Sequence, residues 1–311
     1  IIERLSGISA IGHVRYSTRG ETILRNVQPL YADLDTGGFS VGHNGNLTNT
    51  LLLREKLVSN GAIFQSTSDT EVILHLVAKS IKIKFIDKFI DALGYLEGAY
   101  SLVALTNKKL IGARDPLGIR PLVLGKLEKS YILASETCAL DIIGAEFVRE
   151  IENGEVIVIT DDGIESYFPF PKQSPRPCIF EYIYFAMPHS IIGGKSVYAI
   201  RKQLGYELSK EDDISADIVV PVPDSGVPAA LGYSEGSKIN FDYGLIRNHY
   251  VGRTFIEPTQ NIRQFGVRLK HSANVSIVKN KSVVLIDDSL VRGTTSVKIV
   301  RMLFESGAKE V

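Results

Sequence analysis

"SVVLIDDSLVRGTTSVKIV", residues 282–300, decides the fold class. Four apolar residues, Val283 to Ile286, run into Asp287 and Asp288. Arg292, Gly293 and the hydroxyl run Thr294, Thr295, Ser296 come next, and an apolar pattern resumes. A short continuous apolar run bounded by polar residues suits a strand buried on both faces, as in parallel sheets. Residues 295–307 have helical spacing, with Val297, Val300, Leu303 and Phe304 on one face and Gly307 as terminator. "ADIVVPVPDSG" (216–226) repeats the strand-into-loop scheme between two helical stretches, 196–210 and 227–238. Strand–helix alternation predicts a parallel α/β sheet.

In an open parallel sheet, ligands bind beyond the carboxyl ends of the strands, where Asp287 and Asp288 fall. Backbone N–H groups at a helix start attract anions, and small residues admit a phosphate. Two carboxylates repel a phosphate, so a sugar phosphate reconciles the two features. Its hydroxyls, or Mg²⁺, meet the acids, and its phosphate enters the loop. A Walker B strand also ends in acids, but it needs G-x-x-x-x-G-K-[ST] elsewhere. "GGKS" at 193–196 has His189 where that motif needs its first glycine. A receiver-type acid pair belongs on the first strand of its own domain. A merely structural Asp-Asp turn stays open on these residues alone.

The chain has 311 residues, a length that predicts two domains. Its formal net charge is zero, which gives no footprint for nucleic acid or a membrane surface. No apolar run approaches the roughly 20 residues of a bilayer span. Two cysteines, Cys138 and Cys178, exclude a disulfide scaffold, and a cytoplasmic location is expected. The chain opens at Ile1 without methionine and stops where a strand is expected to begin after Gly307, so an internal piece of a longer protein is expected.

The first half mixes short strands with helices. "GGFSVGHNGNLTN" (37–49) reads as strand, turn and helix start, with Asn46 or Thr48 capping a helix over 51–61. "SDTEVILHLVAKSI" (68–81) reads as a second helix, capped by Ser68 or Asp69. Strand-like runs follow at 99–105, 110–115, 121–125, 131–135 and 155–160. "YFPFPKQSPRPC" (167–178) carries four prolines and places the domain boundary at 167/168.

Three stretches of this half combine into a site. Arg15 suits an α-carboxylate, Asp69 suits an α-ammonium, and Asn44 with the Gly45 N–H suits an oxyanion. Together they would hold a free amino acid and stabilise a tetrahedral intermediate on its side-chain amide. Taken singly, Arg15 also reads as a surface arginine, Asn44-Gly45 as a tight turn and Asp69 as a helix cap.

"GHVRYST" (12–18), "HNGNLTN" (43–49), "SDTE" (68–71), "EGAYS" (97–101) and "ARDPLGIRPL" (113–122) together resemble the glutaminase domain of the class II, N-terminal-nucleophile amidotransferases. "VLIDDSLVRGTTS" (284–296) resembles the phosphoribosyltransferase signature. With "CIFEYIYF" (178–185), "VPDSG" (222–226) and "NHYVGRTFIEPTQNIRQFGVRLK" (248–270), the chain as a whole resembles the amidophosphoribosyltransferase family. The glucosamine-forming amidotransferases share the first half only.

The resemblance implies an αββα glutaminase layer domain over 1–167 and a type I phosphoribosyltransferase parallel-sheet domain over 168–311. It implies ammonia transfer from glutamine to phosphoribosyl pyrophosphate (PRPP), forming 5-phosphoribosylamine, pyrophosphate and glutamate, the first step of purine synthesis. A non-catalytic PRPP or nucleotide sensor and a plain base phosphoribosyltransferase are the alternatives. Arg15 and Asp69 would bind glutamine, and Asn44 and Gly45 would form the oxyanion hole. Arg292, Gly293, Thr294, Thr295 and Ser296 would take the 5′-phosphate beside Asp287 and Asp288. Tyr250 and Arg253 would belong to a loop closing over PRPP. Ser225, Asp287 and Asp288 would ligate Mg²⁺. The family's nucleophile is an N-terminal cysteine whose α-amine is the base. It is expected upstream of Ile1, so this chain alone should lack glutaminase activity. Cys178 stands where cluster-bearing members have a ligand of a [4Fe–4S] cluster, which needs four thiolates. Met187 and His189, in "MPHS", depart from the family's "RPDS". Purine nucleotide inhibitors and a homo-oligomer are also implied.

Overall fold

The computed structural model describes residues 7–15, 23–211, 213–248, 271–290 and 293–311. Two compact units result, Ile1–Cys178 and Ile179–Val311. The units part after Cys178, not after Tyr167 where the prolines point. Arg176 and Cys178 donate backbone N–H groups to the carbonyls of Leu117 and Ile119, which ties the proline-rich segment to the first unit.

The strands of the first unit, in chain order, are β1 (Leu30–Leu34), β2 (Gly37–Leu47), β3 (Gly98–Thr106), β4 (Leu110–Arg114), β5 (Val123–Leu127), β6 (Ser130–Ala134), β7 (Glu146–Glu150), β8 (Val156–Thr160) and β9 (Gly163–Tyr167). Its helices are α1 (Thr50–Ser59), α2 (Glu71–Lys79), α3 (Phe85–Leu93) and α4 (Thr137–Ile143). A six-stranded antiparallel sheet runs β1-β2-β3-β4-β8-β9, and a three-stranded one runs β6-β5-β7.

Period-two alternation sets the layers. Phe39, Val41, Leu102, Ile111, Val156 and Val158 bury one face of the large sheet against Leu53, Val72, Ile73, Val77, Phe89 and Leu93 of the helices. Each such side chain contributes roughly 1.5–3 kcal/mol on burial. Ile157 and Ile159 face the other way, onto Leu122, Leu124 and Leu133 of the small sheet. Gly112 permits that approach, because a Cβ there would lie 2.8 Å from Leu133 and 2.9 Å from Ile157. Leu140 of α4 covers Gly125 on the far side of the small sheet. The order helix, sheet, sheet, helix is the αββα arrangement expected.

In the second unit the hairpin β10 (Ile191–Ile192) and β11 (Lys195–Ser196) leads into α5 (Val197–Leu208). Next come β12 (Ile218–Pro221), α6 (Val227–Ser237), β13 (Leu245–Arg247), β14 (His271–Ala273), α7 (Val275–Val278), β15 (Val283–Ile286) and α8 (Thr294–Glu305). β12 and β15 pair in parallel from Ile218↔Val283 to Pro221↔Ile286. Parallel bridges Val219↔Phe241 and Ser282↔Glu310 extend the sheet to both sides. β13 and β14 form an antiparallel pair.

Three local expectations fail. The buried face of α8 is Ile299 and Leu303, while Val297 and Phe304 are exposed. Leu303 is buried as expected, and Ile299 joins it in the cluster of Ile218, Val220, Leu245 and Val278. Neither Asn46 nor Thr48 caps α1. Asn46 lies inside β2, and Asn49 at the helix start instead bridges Tyr95 and Glu97. Neither Ser68 nor Asp69 holds the N-cap of α2, which falls at Thr70.

Candidate functional site

In the first unit, Asn44 and Gly45 lie within β2, not in a turn. Their cross-strand partners on β3 are Ser101 and Tyr100. Gly45 has φ +151°, and a Cβ there would collide with the carbonyl of Ala99 and lie 2.8 Å from His43 Nε2. Only glycine fits that point.

Asp69 is no helix cap. Its carboxylate accepts the N–H of Leu47 at 3.1 Å, which brings it to the end of β2 just past Gly45. The loop before it is held from both sides. Buried Glu71 accepts the N–H groups of Gln65 and Ser66, each at 2.7 Å, and the Ser66 hydroxyl at 2.6 Å. The side chain of Asn26 donates to Thr67 Oγ1 at 2.8 Å and accepts the Thr67 N–H at 2.9 Å.

His43 sits beneath this corner, fully buried. Nε2 is 3.3 Å from the carbonyl of Ala99, and Nδ1 is 3.3 Å from Thr70 Oγ1 and 3.8 Å from Asp69. A carbonyl only accepts, so Nε2 carries the proton of the neutral ring. Burial lowers the His43 pKa and outweighs the raising effect of Asp69. Gln28 fixes the strand there by accepting the His43 N–H at 2.7 Å.

Arg15 ends the described segment 7–15, which runs beside β2 with His13 over Gly42. Burial lowers the pKa of His13, and the charge of Arg15 adds to that. Arg120 is a member the sequence reading did not assign. Its Nη2 donates to Asn44 Oδ1 at 2.8 Å from 76 positions away.

In the second unit, the acids stand where β15 ends. The Asp288 N–H donates to Asp287 Oδ1 at 2.9 Å, and Ser289 Oγ donates to Asp288 Oδ1 at 2.7 Å. Burial pushes the Asp287 carboxyl above its ordinary value, and the Asp288 charge adds to that against the lowering effect of the Asp288 N–H. The loop holding Ser225 lies against the same strand end. Val222 donates its N–H to the Ile286 carbonyl at 2.8 Å, and a Cβ on Gly226 would lie 2.5 Å from that oxygen. Asp224 in this loop pairs with Arg247 at the end of β13, and His271 Nε2 reaches the Pro223 carbonyl at 3.2 Å.

Gly293, at φ +67°, opens α8, whose first residues are Thr294 and Thr295. Asp287, Ser289 and half-buried Ser296 line one end of a cavity of about 630 Å³. Leu285, Val300 and Val311 are among the apolar side chains of its lining. Arg292, Tyr250 and Arg253 lie outside the described residues.

The donor chemistry distinguishes the two expected metals. Ser225, Asp287 and Asp288 offer hard oxygens. Mg²⁺ commonly takes one or two carboxylates and completes its shell with substrate and water. The described residues hold no cluster of three or more His, Cys, Asp or Glu. A [4Fe–4S] cluster does not fit this chain by itself. Cys138 is buried on α4 and Cys178 ends the first unit, two thiols where four are needed.

Residues 13–141 match the family described as "Glutamine amidotransferase domain". The amidophosphoribosyltransferase of Rhizobium etli is 59% identical over the whole chain, which spans 64% of that protein. The chloroplastic amidophosphoribosyltransferase of Glycine max is 54% identical, again over the whole chain and 55% of its own length. A solved structure of glutamine PRPP amidotransferase from Bacillus subtilis, complexed with ADP and GMP, matches with a TM-score of 0.88 at 46% identity. That match covers 96% of this chain and 65% of the other. The chain thus spans less than two thirds of the length of these relatives. Identity of this order along both units, and the shared course of their backbones, make the chain similar to the amidophosphoribosyltransferases over its whole length.

Proposed function

We propose that the protein carrying this chain releases ammonia from the side-chain amide of glutamine and delivers it to C1 of PRPP. The new C–N bond forms as the C–O bond to pyrophosphate breaks, giving 5-phosphoribosylamine, the first step of purine synthesis. The observation that carries this reading is the pairing, in one chain, of the Asn44–Gly45–Asp69 corner with the acid-tipped parallel strand β15. A PRPP sensor has no use for the first site, and a base phosphoribosyltransferase leaves it unexplained.

In the first site, Arg15 binds the carboxylate of glutamine and Asp69 its ammonium. Asn44 and the Gly45 N–H stabilise the oxyanion that forms when an N-terminal cysteine attacks the amide. In the second, Asp287 and Asp288 orient the ribose, and the loop at Gly293–Ser296 takes the 5′-phosphate at the start of α8. Ser225, Asp287 and Asp288 would hold Mg²⁺, whose charge would neutralise the pyrophosphate. Tyr250, Arg253 and Arg292 add cover and charge.

Purine nucleotides act as inhibitors in this reading, in keeping with the ADP and GMP in the B. subtilis structure. A homo-oligomer and a cytoplasmic location complete it; no described helix is long and apolar enough to cross a membrane. Cys178 would supply one ligand to an iron–sulfur cluster in the full-length protein. Iron analysis of anaerobically purified full-length protein tests that, and an iron-free active enzyme refutes it.

The central test is glutamate and pyrophosphate release by the full-length protein given glutamine and PRPP, with ammonia replacing glutamine in a parallel assay. Absence of pyrophosphate release with either nitrogen source refutes the function.

A further inference from the structure

Asn44 has an amide that could present either its oxygen or its NH₂ to a ligand. An oxyanion needs the NH₂, since only a donor stabilises it. The row of side chains beside Asn44 decides between them. Asn44 on β2 pairs with Ser101 on β3, and Ser101 pairs with Arg114 on β4. Directly paired residues project from the same face of a sheet, so the three side chains form one row. All three bond to one residue, Arg120. Ser101 Oγ donates to its carbonyl at 3.2 Å, Arg114 Nε donates to the same carbonyl at 2.8 Å, and its own Nη2 donates to Asn44 Oδ1 at 2.8 Å.

The loop that carries Arg120 is built rigid. Asp115, fully buried, accepts the N–H groups of Leu117, Ile119 and Tyr100, and its carboxylate also takes the Arg120 N–H. Tyr100 is the cross-strand partner of Gly45, so the same carboxylate ties the loop to the strand position of Gly45. Arg114 grips the Gly118 carbonyl at 3.2 Å and the Ile151 carbonyl at 2.8 Å. These contacts hold the loop through its backbone, and the Arg120 guanidinium reaches out to Asn44.

We propose that Arg120 is a positioning residue for glutamine hydrolysis, fixing the Asn44 amide so that Nδ2 faces the substrate. A guanidinium has donors and no acceptor, so it selects Oδ1 and leaves Nδ2 for the ligand. The bond is charge-assisted, roughly twice as strong as a neutral one. Positive charge on Oδ1 also polarises the amide and strengthens Nδ2–H as a donor. The inference rests on the glutaminase reading above.

The test uses the full-length protein with Arg120→Met, which keeps length and loses the donors, and Arg120→Lys, which keeps one charged donor. Removing an oxyanion donor outright costs about 10²–10³ in kcat. Loss of its orientation should lower glutamine kcat by about tenfold to a hundredfold in Arg120→Met, with the KM for glutamine within about threefold. Arg120→Lys should recover part of that loss. Asn44→Ala combined with Arg120→Met should be no slower than Asn44→Ala alone, because Arg120 acts through Asn44. Glutamine kcat near wild type in Arg120→Met, or additive losses in the double variant, overturns the role and leaves the function standing. Parallel loss of glutamine- and ammonia-dependent rates with a lowered Tm also overturns it, by making Arg120 a strut. An Asn44→Ala enzyme with full glutaminase activity overturns the glutaminase site itself.

Discussion

Gly45→Ala separates two costs that the site imposes on β2. The first is conformational. At φ +151° an alanine is strained, which costs on the order of 1–3 kcal/mol. The second is steric. The new Cβ would strike the Ala99 carbonyl and lie 2.8 Å from both the Ala99 carbonyl carbon and His43 Nε2. Carbon–carbon contacts are comfortable at about 3.5–4.0 Å, so β2 and β3 would have to part. They cannot do so freely, since β3 is paired on both sides and Tyr100 beside Ala99 is 1% exposed. Overpacking of this kind costs about 1–3 kcal/mol. Gly163→Ala is the control, at φ +131° with no atom within 4 Å of its Cβ, so it carries strain alone. For a unit of this size, 1 kcal/mol moves Tm by about 2–4 °C. Taking about 2 kcal/mol for each cost, Gly163→Ala should lose roughly 4–8 °C and Gly45→Ala roughly 8–16 °C. The assay is calorimetry of the full-length protein, with glutamine turnover measured on the same samples. Equal Tm losses in the two variants would show that the Ala99 contact plays no part. Normal glutamine turnover in Gly45→Ala would refute its place at the oxyanion.

Asp287→Asn and Asp288→Asn should each weaken PRPP use by about one to two decades, the worth of a charged hydrogen bond or metal contact, with glutamine hydrolysis retained; normal PRPP kinetics in both variants refutes the assignment. Because burial raises the Asp287 carboxyl, its charged form destabilises the fold as pH rises through that raised value, so Asp287→Asn should also increase Tm at neutral pH. Glu155 is fully buried, and Arg149 meets it at 2.8 and 2.6 Å. Burial pushes its carboxyl up, but Arg149, Ser166 and the Glu152 N–H outweigh that and hold it below the ordinary value. Stability from this pair should be present above about pH 4.3 and be lost as pH falls through the lowered value. Arg149→Met should cost about 2–3 kcal/mol at pH 7, discounted because Arg149 is partly exposed; an unchanged denaturation midpoint would count against the pair. Burial lowers the His43 pKa, so stability should fall as pH drops below about 6.5, where the unfolded chain takes up the proton first, and a flat profile from pH 7 to 5 would contradict its burial as a neutral ring.

Much of this protein is legible without coordinates. The run Val283–Ile286 announces a buried parallel strand, and the two acids at its end announce a ligand, because burial on both faces writes itself as unbroken apolar sequence. Asn44, Gly45 and Asp69 stand out by side-chain chemistry, although Gly45 turns out to sit in a strand and Asp69 to bond Leu47, not its own helix. Tertiary structure alone decided what depends on register and on neighbours distant in sequence. Spacing along α8 points to Val297, Val300, Leu303 and Phe304, and tertiary packing keeps Leu303 and adds Ile299. The prolines before Cys178 mark irregular backbone, but hydrogen bonds to Leu117 and Ile119 decide which unit owns it. Arg120 reads as one charge in a motif until β2, β3 and β4 align Asn44, Ser101 and Arg114 in a row beneath it. Periodicity records which face of an element is buried; it does not record which side chain waits across the sheet.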